Sequence, residues 1–414
     1  MRVCFLTGEY PPMRGGVGDY TRELALAMQA LGVEVGIITS RRAVAEQGAE
    51  PTGGPRVYPA VEDWGYRQWA EIGRALDDFR PDVVHIQYQT AAYGMHPAIN
   101  LLPLQLRRRR PRPLVAVTFH DLKVPYLFPK AGPIRQLPAV VLAWASDLVV
   151  VTNEEDAHLL VGEAPDGREE TIRLRSRYGG RSLHLIPIGS NIPITPPAGF
   201  DRGAWRERMG VDQGEVLLAY FGFLAHAKGV DLLFEAFRQL LKQRPGIKLA
   251  MIGGMEGSSD SSNRAYARQI RAMADEPTFR GRVIWTGFTV SSEVSANLQA
   301  ADICVLPFRE GASLRHGTLV AAITHGLPTV TTSLPATQNR AGWRLLPGVV
   351  QLVHRHNAYL VQPNDVNALR EGIAALMADP GLAEQISLGA REIAPLFGWE
   401  SIARETLAAY NAIL

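Results

Sequence analysis

The fold of this chain is decided by residues 2–40, RVCFLTGEYPPMRGGVGDYTRELALAMQALGVEVGIITS. Residues 2–8 form a short apolar run, residues 18–31 carry apolar side chains at helical spacing, and residues 33–39 form a second apolar run. Short continuous apolar runs are typical of strands buried on both faces, and the helical spacing between them indicates a crossover helix. The stretch therefore predicts a strand, a helix and a second, parallel strand.

This alternation continues to the end of the chain. Further apolar runs stand at residues 82–88, 113–120, 147–152, 183–189, 216–222, 248–254, 282–287, 302–307, 328–333 and 358–363. Because helix-like stretches separate them, the sequence predicts an α/β protein with doubly wound parallel sheets. Residues 192–203 are rich in proline and glycine, which is the composition of a linker between two such halves.

The length of the chain predicts more than one domain. Its 414 residues exceed the roughly 250–300 residues that a single hydrophobic core usually holds. We expect an N-terminal Rossmann-like domain over residues 1–194, a C-terminal one over residues 195–398, and a helix over residues 399–414 that crosses back to the first domain. Since ligands of open α/β sheets bind beyond the carboxyl ends of the strands, the loops after strands are where we expect chemistry.

The charges of the chain are almost balanced, with 43 Lys and Arg against 41 Asp and Glu and a formal net charge of +2. This balance provides no general attraction to nucleic acid, so any anion must be recognised locally. The basic run RRRRPRP, residues 107–113, lacks interleaved aromatic residues and falls at the predicted end of a helix, where cations favour the helix dipole. A solvated helix end is our first interpretation of this run, and a weak peripheral contact with a membrane is the second.

The cysteines and carboxylates do not form the pattern of a metal site. Cys4 and Cys304 lie in apolar runs, which favours buried thiols and fits a reducing cytosol. No Asp-x-Asp pair occurs, and His354 and His356 have no third ligand nearby in the sequence. We therefore expect no metal and no cofactor. We see no signal peptide and no apolar segment long enough to span a membrane, so we expect a cytoplasmic protein.

Two loops of the N-terminal half are candidates for ligand contact. Gly15 and Gly16 precede a helix, where backbone amides and the helix dipole attract anions. A loop that merely tolerates glycine is the alternative. His120 stands at the end of the run at residues 113–120, where its side chain would point beyond the sheet edge, and a structural hydrogen-bonding role is its alternative. His85, inside the run at residues 82–88, is expected to be a half-buried polar residue.

Two loops of the C-terminal half carry further candidates. Lys228 opens a helix after the run at residues 216–222, and a lysine ammonium is a compact point charge suited to phosphate oxygens. A solvated surface lysine is the alternative. The loop after the run at residues 302–307 carries polar side chains at Glu310, Ser313, Arg315 and His316. A carboxylate among small residues suits hydrogen bonds to sugar hydroxyls.

Taken together, these loops resemble a known family. The matching segments are GGVGDYTREL (15–24), DVVHIQY (82–88), TFHDL (118–122), IPIGSNIP (186–193), FGFLAHAKGVDLLFEAF (221–237), RVIWTGF (282–288), ADICVLPFREG (301–311), HGLPTVTT (325–332) and NAYLVQPNDVNALREGIAAL (357–376). In this order and spacing, the chain resembles a family 4 retaining glycosyltransferase, of the glycosyl transferases group 1. The resemblance implies the GT-B fold, in which two Rossmann-like domains face each other across a cleft.

The resemblance also implies roles for individual residues. His120 would face the transferred sugar, Lys228 would neutralise the leaving diphosphate, and Glu310 matches the first acid of the family's pair of glutamates; these three are the catalytic candidates. Gly15 and Gly16 would approach the donor diphosphate. The remaining donor-binding candidates are Gly287, Phe288, Gly311, Ala312, Ser313, Arg315 and Thr318.

The implied activity is transfer of a hexosyl group from a nucleoside diphosphate sugar to an acceptor hydroxyl, with retention and without a metal. The resemblance implies a donor of the UDP or GDP type, bound by the C-terminal domain. The acceptor would be a glycan, a lipid-linked molecule or a small molecule bound by the N-terminal domain, as in polysaccharide biosynthesis. No nucleic-acid partner is expected.

Two departures from the family pattern keep alternatives open. The family usually has an arginine after the glycine at position 222, and this chain has Phe223. The family's second glutamate falls on Thr318 or, with a different alignment, on Ala321. Arg315 or His316 would supply the missing positive charge. The alternatives are a non-catalytic GT-B protein that binds nucleotide sugar or glycan as a scaffold, and a nucleotide-sugar epimerase.

Overall fold

The computed structural model of the chain describes residues 1–13, 15–43, 54–122, 137–153, 156, 157, 160, 182–254, 261–334 and 350–414. These residues form two compact units. The first unit contains the chain up to Gly189 and again Trp399–Leu414, and the second begins at Ser190 and ends at Gly398. Each unit is built on one parallel sheet.

The described strands of the first unit are β1 Arg2–Thr7, β2 Glu34–Ser40, β3 Arg56–Val61, β4 Val83–Gln89, β5 Leu114–Asp121, β6 Leu148–Val151 and β7 Ser182–Leu185. They pair in the order β3-β2-β1-β4-β5-β6-β7, with every pairing parallel. The direction of winding reverses between β1 and β4, so the loops after these two strands diverge at a topological switch point.

The second unit repeats this plan. Its described strands are β8 Val216–Phe221, β9 Ile247–Ile252, β10 Val283–Gly287, β11 Ile303–Leu306, β12 Thr329–Thr332 and β13 Tyr359–Val361. They pair in parallel in the order β10-β9-β8-β11-β12-β13. The switch point of this sheet therefore lies between β8 and β11.

Helices connect successive strands and cover the sheets. Those of the described residues are α1 Gly16–Ala30, α2 Trp69–Phe79, α3 Ala98–Leu106, α4 Leu137–Ala145, α5 Arg202–Arg208, α6 Val230–Gln243, α7 Ser261–Ala274, α8 Ser291–Ala300, α9 Gly317–Thr324, α10 Val366–Ala378, α11 Pro380–Ile393 and α12 Trp399–Asn411. None of the helices in the described ranges is both long and apolar enough to cross a bilayer.

Both faces of the first sheet are buried, which explains its continuous apolar strands. In β1, Cys4 and Leu6 belong to one core cluster, while Val3 and Phe5 belong to a second cluster on the opposite face. Cys304 is likewise fully buried within β11. The predictions of a doubly wound α/β fold and of buried thiols are confirmed.

Strand β3 is absent from our predictions, and its sequence explains why. Its residues, RVYPAV, include Pro59, and only Val61 is fully buried. Proline within a strand is tolerated mainly at sheet edges, and β3 is the edge strand of its sheet. The pattern of a half-exposed edge strand with a proline therefore differs from the continuous apolar runs that mark the other strands.

Helix α12 packs within the first unit through aromatic contacts. Its Tyr410 hydroxyl hydrogen-bonds Nδ1 of His85, and Nε2 of His85 lies 2.7 Å from Oγ1 of Thr118. Trp399, at the start of the helix, packs edge-on against Tyr20 with ring centroids 5.2 Å apart. His85 is fully buried, rather than half-buried as we expected, because α12 covers it.

Candidate functional site

The loops after β8 and β11, residues 222–229 and 307–316, lie against each other at the switch point of the second sheet. The backbone N–H of Arg309 donates to the carbonyl of Ala227 at 2.9 Å. Ligands of doubly wound sheets bind at such a point, beyond the carboxyl ends of the strands. We therefore describe the candidate site from these two loops outward.

Arg309 joins the two loops and is a residue that sequence reasoning missed. Its guanidinium forms an ion pair with Asp231 in the first turn of α6, donates to the carbonyl of His226 at 3.1 Å, and donates to Oδ1 of Asn364 at 2.8 Å. These bonds fix the end of one loop to the start of the helix that follows the other. Only the folded chain reveals this role, because Asp231 lies 78 residues away from Arg309.

Lys228 directs its ammonium group toward Gly222, at the end of β8. Its Nζ lies 3.2 Å from the position that a Cβ on Gly222 would occupy, and 5.8 Å from the ring centroid of Phe308. Burial lowers the pKa of Lys228 to about 8, because the charged form is poorly solvated there. An ammonium with this deficit of solvation gains from an anion that replaces the missing water.

Glycines allow this close approach at two positions. Gly222 has a φ of 136°, and Gly229 has a φ of 65°, both in the region that side chains disfavour. A Cβ on Gly229 would lie 2.2 Å from the carbonyl oxygen of Pro307, so no side chain fits between the two loops. Gly229 also caps α6, whose N-terminal amides begin directly after Lys228.

Thr318 approaches Gly222 as Lys228 does. The methyl group of Thr318 lies 3.0 Å from the position that a Cβ on Gly222 would occupy, and its Oγ1 is buried without a hydrogen-bond partner among the described residues. Buried polar atoms are almost always paired, so an unpaired hydroxyl on a residue that shares Gly222 with Lys228 indicates a place for a polar ligand. Thr318 stands in the first turn of α9, whose amide dipoles favour the same anion.

The loop after β11 presents its polar residues in different ways. Glu310 is exposed. The ring of His316 stacks on Phe308 with centroids 4.0 Å apart, and its Nδ1 accepts the backbone N–H of Ser313 at 3.2 Å. These contacts fix the side chain of His316, whereas Arg315 is partly buried and forms no ion pair with any described residue. Of the two candidates for the missing cation, Arg315 is therefore the one whose charge is uncompensated within the described residues.

The amides of Gly311 and Ala312 are already used within the chain. Gly311 donates to the carbonyl of Phe308 at 3.3 Å, and Ala312 donates to the carbonyl of Thr332 at 3.0 Å. A sugar oxygen could accept a hydrogen bond from either amide only if it displaced the carbonyl oxygen that the amide now contacts. In this conformation one amide closes the turn after β11 and the other joins that loop to β12, so the expected sugar contacts of these two residues stay a prediction.

Two exposed phenylalanines of the second unit stand at the ends of β8 and β10, the strands on either side of β9. Phe223 follows β8 and Phe288 follows β10, and both rings lie within 3.7 Å of the position that a Cβ on Gly254 would occupy. Phe288 is 81% exposed and Phe223 is 45% exposed. Gly287 turns the chain with a φ of 68°. Large exposed rings around a glycine form a surface on which a planar base can stack.

In the first unit, the helix end predicted to approach an anion already holds a carboxylate. Oε1 of Glu9 accepts the backbone N–H groups of Val17 and Gly18 at 3.1 and 3.4 Å, in the first turn of α1. A Cβ on Gly15 would overlap this carboxylate, while Gly16 has open space around it. Burial raises the pKa of Glu9. No signal in the sequence marks Glu9 for this position.

His120 ends β5 and is held by Gln87, at the end of β4. Nε2 of His120 lies 2.8 Å from Oε1 of Gln87, and because an amide oxygen only accepts, Nε2 carries the proton. The His120 ring also packs edge-on against Tyr20, with centroids 4.6 Å apart. Burial lowers the pKa of His120 to about 3, so the ring is neutral at physiological pH with Nδ1 as an acceptor. Gln87 is a further residue that sequence reasoning missed.

The structure thus groups the predicted residues into two sets. Lys228 and Thr318 converge on Gly222 at the switch point of the second unit, while His120, Gly15 and Gly16 belong to the first unit. No cluster of His, Cys, Asp and Glu suited to a metal ion occurs in the part of the chain that the structure describes.

Comparisons with known proteins assign the family. Residues 215–379 match the family model described as glycosyl transferases group 1, and residues 15–174 match the model described as glycosyl transferase 4-like domain. The chain belongs to the group 1 glycosyltransferases. Within this family it is a family 4 member, as the sequence motifs predicted.

Similar proteins include several whose names refer to phosphorylated small molecules. A D-inositol 3-phosphate glycosyltransferase of Kribbella flavida is 27% identical over 67% of this chain and 59% of its own length. One of Arthrobacter sp. is 26% identical over 99% of this chain and 95% of its own length. A mannosylfructose-phosphate synthase of Agrobacterium fabrum is 26% identical over 65% of this chain and 54% of its own length. The first and third matches thus span less than two thirds of the relatives.

Solved structures support the fold. Sucrose-phosphate synthase of Thermosynechococcus elongatus aligns with a TM-score of 0.69 and 21% identity, over all of this chain and 98% of its own. HepE of Anabaena, solved with UDP and glucose, aligns with a TM-score of 0.69 and 16% identity over all of both chains. The fold is GT-B, with two Rossmann-like domains, as predicted.

Proposed function

We propose that this group 1 glycosyltransferase transfers a hexosyl group from a nucleoside diphosphate sugar to an acceptor hydroxyl, with retention of anomeric configuration and without a metal. The observation that carries the proposal is the arrangement at Gly222, which both the poorly solvated ammonium of Lys228 and the side chain of Thr318 approach, the latter with a buried hydroxyl that has no hydrogen-bond partner among the described residues. This arrangement suits the oxygens of a diphosphate that acquires charge as it leaves the sugar.

Lys228 is the group that we assign to this developing charge. In the transition state the bond from the anomeric carbon to the diphosphate breaks, and negative charge accumulates on the leaving oxygen. An ammonium already fixed near that oxygen stabilises the charge without having to reorganise. The N-terminal dipoles of α6 and α9 act in the same direction. These groups supply the positive potential that a divalent cation supplies in other sugar-transfer sites.

Thr318 and Arg315 are the residues that we propose in place of the family's missing groups. The hydroxyl of Thr318 would take a donor oxygen near the position of the absent glutamate. Arg315 would supply the cation that Phe223 replaces, because its guanidinium forms no ion pair among the described residues. Glu310 and Ser313 would contact the hydroxyls of the transferred sugar.

The base of the donor is assigned to the two exposed rings. Phe223 and Phe288 would stack on a planar base, with the backbone at Gly287 and Gly254 allowing its close approach. A UDP- or GDP-type donor fits this proposal, and HepE of Anabaena, which has this fold, was solved with UDP.

The first unit is assigned to the acceptor and to the transferred sugar. We propose that residues 1–194 bind a glycan, a lipid-linked molecule or a small hydroxylated molecule, and that residues 195–398 bind the donor. His120 would accept a hydrogen bond from a sugar hydroxyl through Nδ1, because its Nε2 proton is committed to Gln87. In this scheme the helix at residues 399–414 completes the first domain.

A second candidate function is binding of a nucleotide sugar without transfer, which the substitution of Phe223 for an arginine favours. The two functions differ in turnover. The test is incubation with UDP-, GDP- and ADP-sugars, with and without acceptors that include inositol phosphate and hexose phosphates, followed by NMR of the products. We expect release of one nucleoside diphosphate and a glycoside with the anomeric configuration of the donor. Binding without release would favour the second function, and epimerised donor would indicate an epimerase.

A further inference from the structure

Helix α4 presents an apolar stripe to solvent. Leu137 and Trp144 are 56% and 46% exposed, and Val140 between them is also exposed. Their spacing of three and four residues places them on one face of the helix. Leu142, on the other face, is buried. Single exposed apolar residues are common, but an aligned row of them on one helix usually marks an interaction surface.

A cluster of arginines adjoins this stripe at the end of α3. The guanidinium of Arg107 lies over the ring of Trp144, with 5.5 Å from its carbon to the ring centroid. Nε and Nη2 of Arg107 are buried and have no hydrogen-bond partner among the described residues. Arg107 therefore places a positive charge, without a carboxylate partner among the described residues, directly beside the ring of Trp144.

The neighbouring arginines divide into paired and unpaired groups. Arg109 forms an ion pair with Asp77, and Arg112 forms one with Asp147. Arg108 and Arg110 are exposed, and their described hydrogen bonds go to an amide side chain and to backbone carbonyls rather than to carboxylates. Their charges, with that of Arg107, are therefore uncompensated within the described residues.

We propose that Leu137, Val140, Trp144, Arg107, Arg108 and Arg110 form a docking face for a bilayer that contains anionic lipids. Apolar side chains enter the boundary between headgroups and acyl chains, the Trp ring suits this boundary, and arginine guanidinium groups pair with lipid phosphates. The face thus combines the two features of a peripheral membrane contact: apolar side chains that insert below the headgroups, and positive charges at their edge.

The charge of the face favours an anionic bilayer over a second copy of the chain or a nucleic acid. A second copy of the chain would bring two uncompensated positive clusters together, because identical faces meet in a symmetric dimer. A nucleic acid would meet an apolar stripe that offers no groups to its phosphates. The near-neutral net charge of the whole chain means that attraction to an anionic surface must come from a local cluster of this kind.

The test measures co-sedimentation of the full chain with vesicles of phosphatidylcholine alone or mixed with phosphatidylglycerol. We expect binding to the mixed vesicles that weakens with salt, since lipid attraction is screened by ions. Each basic residue near an anionic surface contributes about fivefold in affinity, so Arg108→Glu with Arg110→Glu should weaken binding by at least about 25-fold. Leu137→Glu should weaken binding to the same vesicles, because it replaces an apolar side chain that inserts into the bilayer with a charged one.

Matched controls are available in the second unit. Arg208 stacks on Trp205 at 3.9 Å, as Arg107 stacks on Trp144, and Leu388 is 51% exposed on α11. Arg208→Glu and Leu388→Glu should leave vesicle binding unchanged, and circular dichroism should show all variants folded. The proposal is overturned if wild type does not prefer the anionic vesicles. It is also overturned if the α4 and α3 variants bind vesicles as the controls do. The same holds if the wild-type chain is a dimer and these variants disrupt the dimer rather than vesicle binding. Sugar transfer is not part of the readout, so this result is independent of the proposed function.

Discussion

Replacing Lys228 by methionine is expected to lower kcat/KM for the sugar nucleotide by about 10²–10³-fold, the usual effect of removing one preorganised group that stabilises transition-state charge. Methionine keeps the length and apolar stem of lysine, so it fills the same space beside Gly222 and Phe308. The ammonium is therefore the only feature removed. Donor turnover under subsaturating conditions measures the effect.

The control for this variant is Lys242→Met, which changes a lysine near the end of α6, away from the two loops of the site. This control should retain wild-type turnover. If Lys228→Met also turns over the donor at the wild-type rate, the leaving diphosphate is neutralised elsewhere and our assignment of Lys228 is wrong.

The pH dependence of donor binding gives the same residue a second signature. Burial lowers the pKa of Lys228 to about 8 in the free protein, so the fraction that carries a charge falls as pH rises through 8. A diphosphate binds the charged form, and donor affinity should therefore weaken by up to about tenfold per pH unit above 8. Lys228→Met should remove this dependence. Calorimetric titration at several pH values distinguishes the two outcomes.

Replacing Gln87 by methionine is expected to lower kcat/KM by about ten- to a hundredfold, because a misoriented catalytic group costs this much without touching the substrate itself. Gln87 is fully buried and holds Nε2–H of His120 through its amide oxygen. Methionine has nearly the same shape but cannot accept this bond. His120 would then be free to rotate or to change tautomer, and its Nδ1 would no longer be fixed as an acceptor.

A second substitution separates positioning from general structure. Gln87→Glu retains an acceptor for Nε2–H, and its negative charge raises the pKa of His120 from about 3. A group whose pKa is raised becomes protonated over a higher pH range, so activity of Gln87→Glu should be lost on the acid side at a pH where wild type is unaffected. Near neutral pH it should exceed that of Gln87→Met. Gln89→Met, on the same strand, is the control.

These pH profiles also define the contrary result. If Gln87→Met has the turnover of Gln89→Met and both follow the wild-type pH profile, His120 does not depend on Gln87. If Gln87→Met also has a lower melting temperature than Gln89→Met, and its turnover falls without a change in pH profile, the role of Gln87 is structural only.

The sequence predicts most of the fold because the strands are buried on both faces. Continuous apolar runs such as residues 2–8 and 302–307 have one plausible role in an α/β chain, and the structure has strands β1 and β11 there. The half-exposed edge strand β3 lacks this pattern. The buried polar residue His85 was also misjudged, because its partner Tyr410 lies 325 residues away.

The candidate site also contains residues that local sequence predicts and residues that only the folded chain reveals. Lys228 was predictable from local signals, a strand end followed by a helix start, and those signals need only neighbouring residues. Arg309, Gln87 and Glu9 act through side chains that become neighbours only when loops meet. The resemblance supplied the pattern for Thr318, but its unpaired hydroxyl is a property of the fold.

The central claim is that the second unit binds a nucleoside diphosphate at Gly222 through Lys228. The most direct measurement is the melting temperature of wild type and Lys228→Met with UDP, GDP and ADP and with their sugars. We predict that one base selectively stabilises wild type, by about 2.7 kcal/mol when the ligand exceeds its Kd a hundredfold, and that Lys228→Met loses this stabilisation at the same concentration. Equal stabilisation of both proteins, or none of wild type by any of these nucleotides, would contradict the claim.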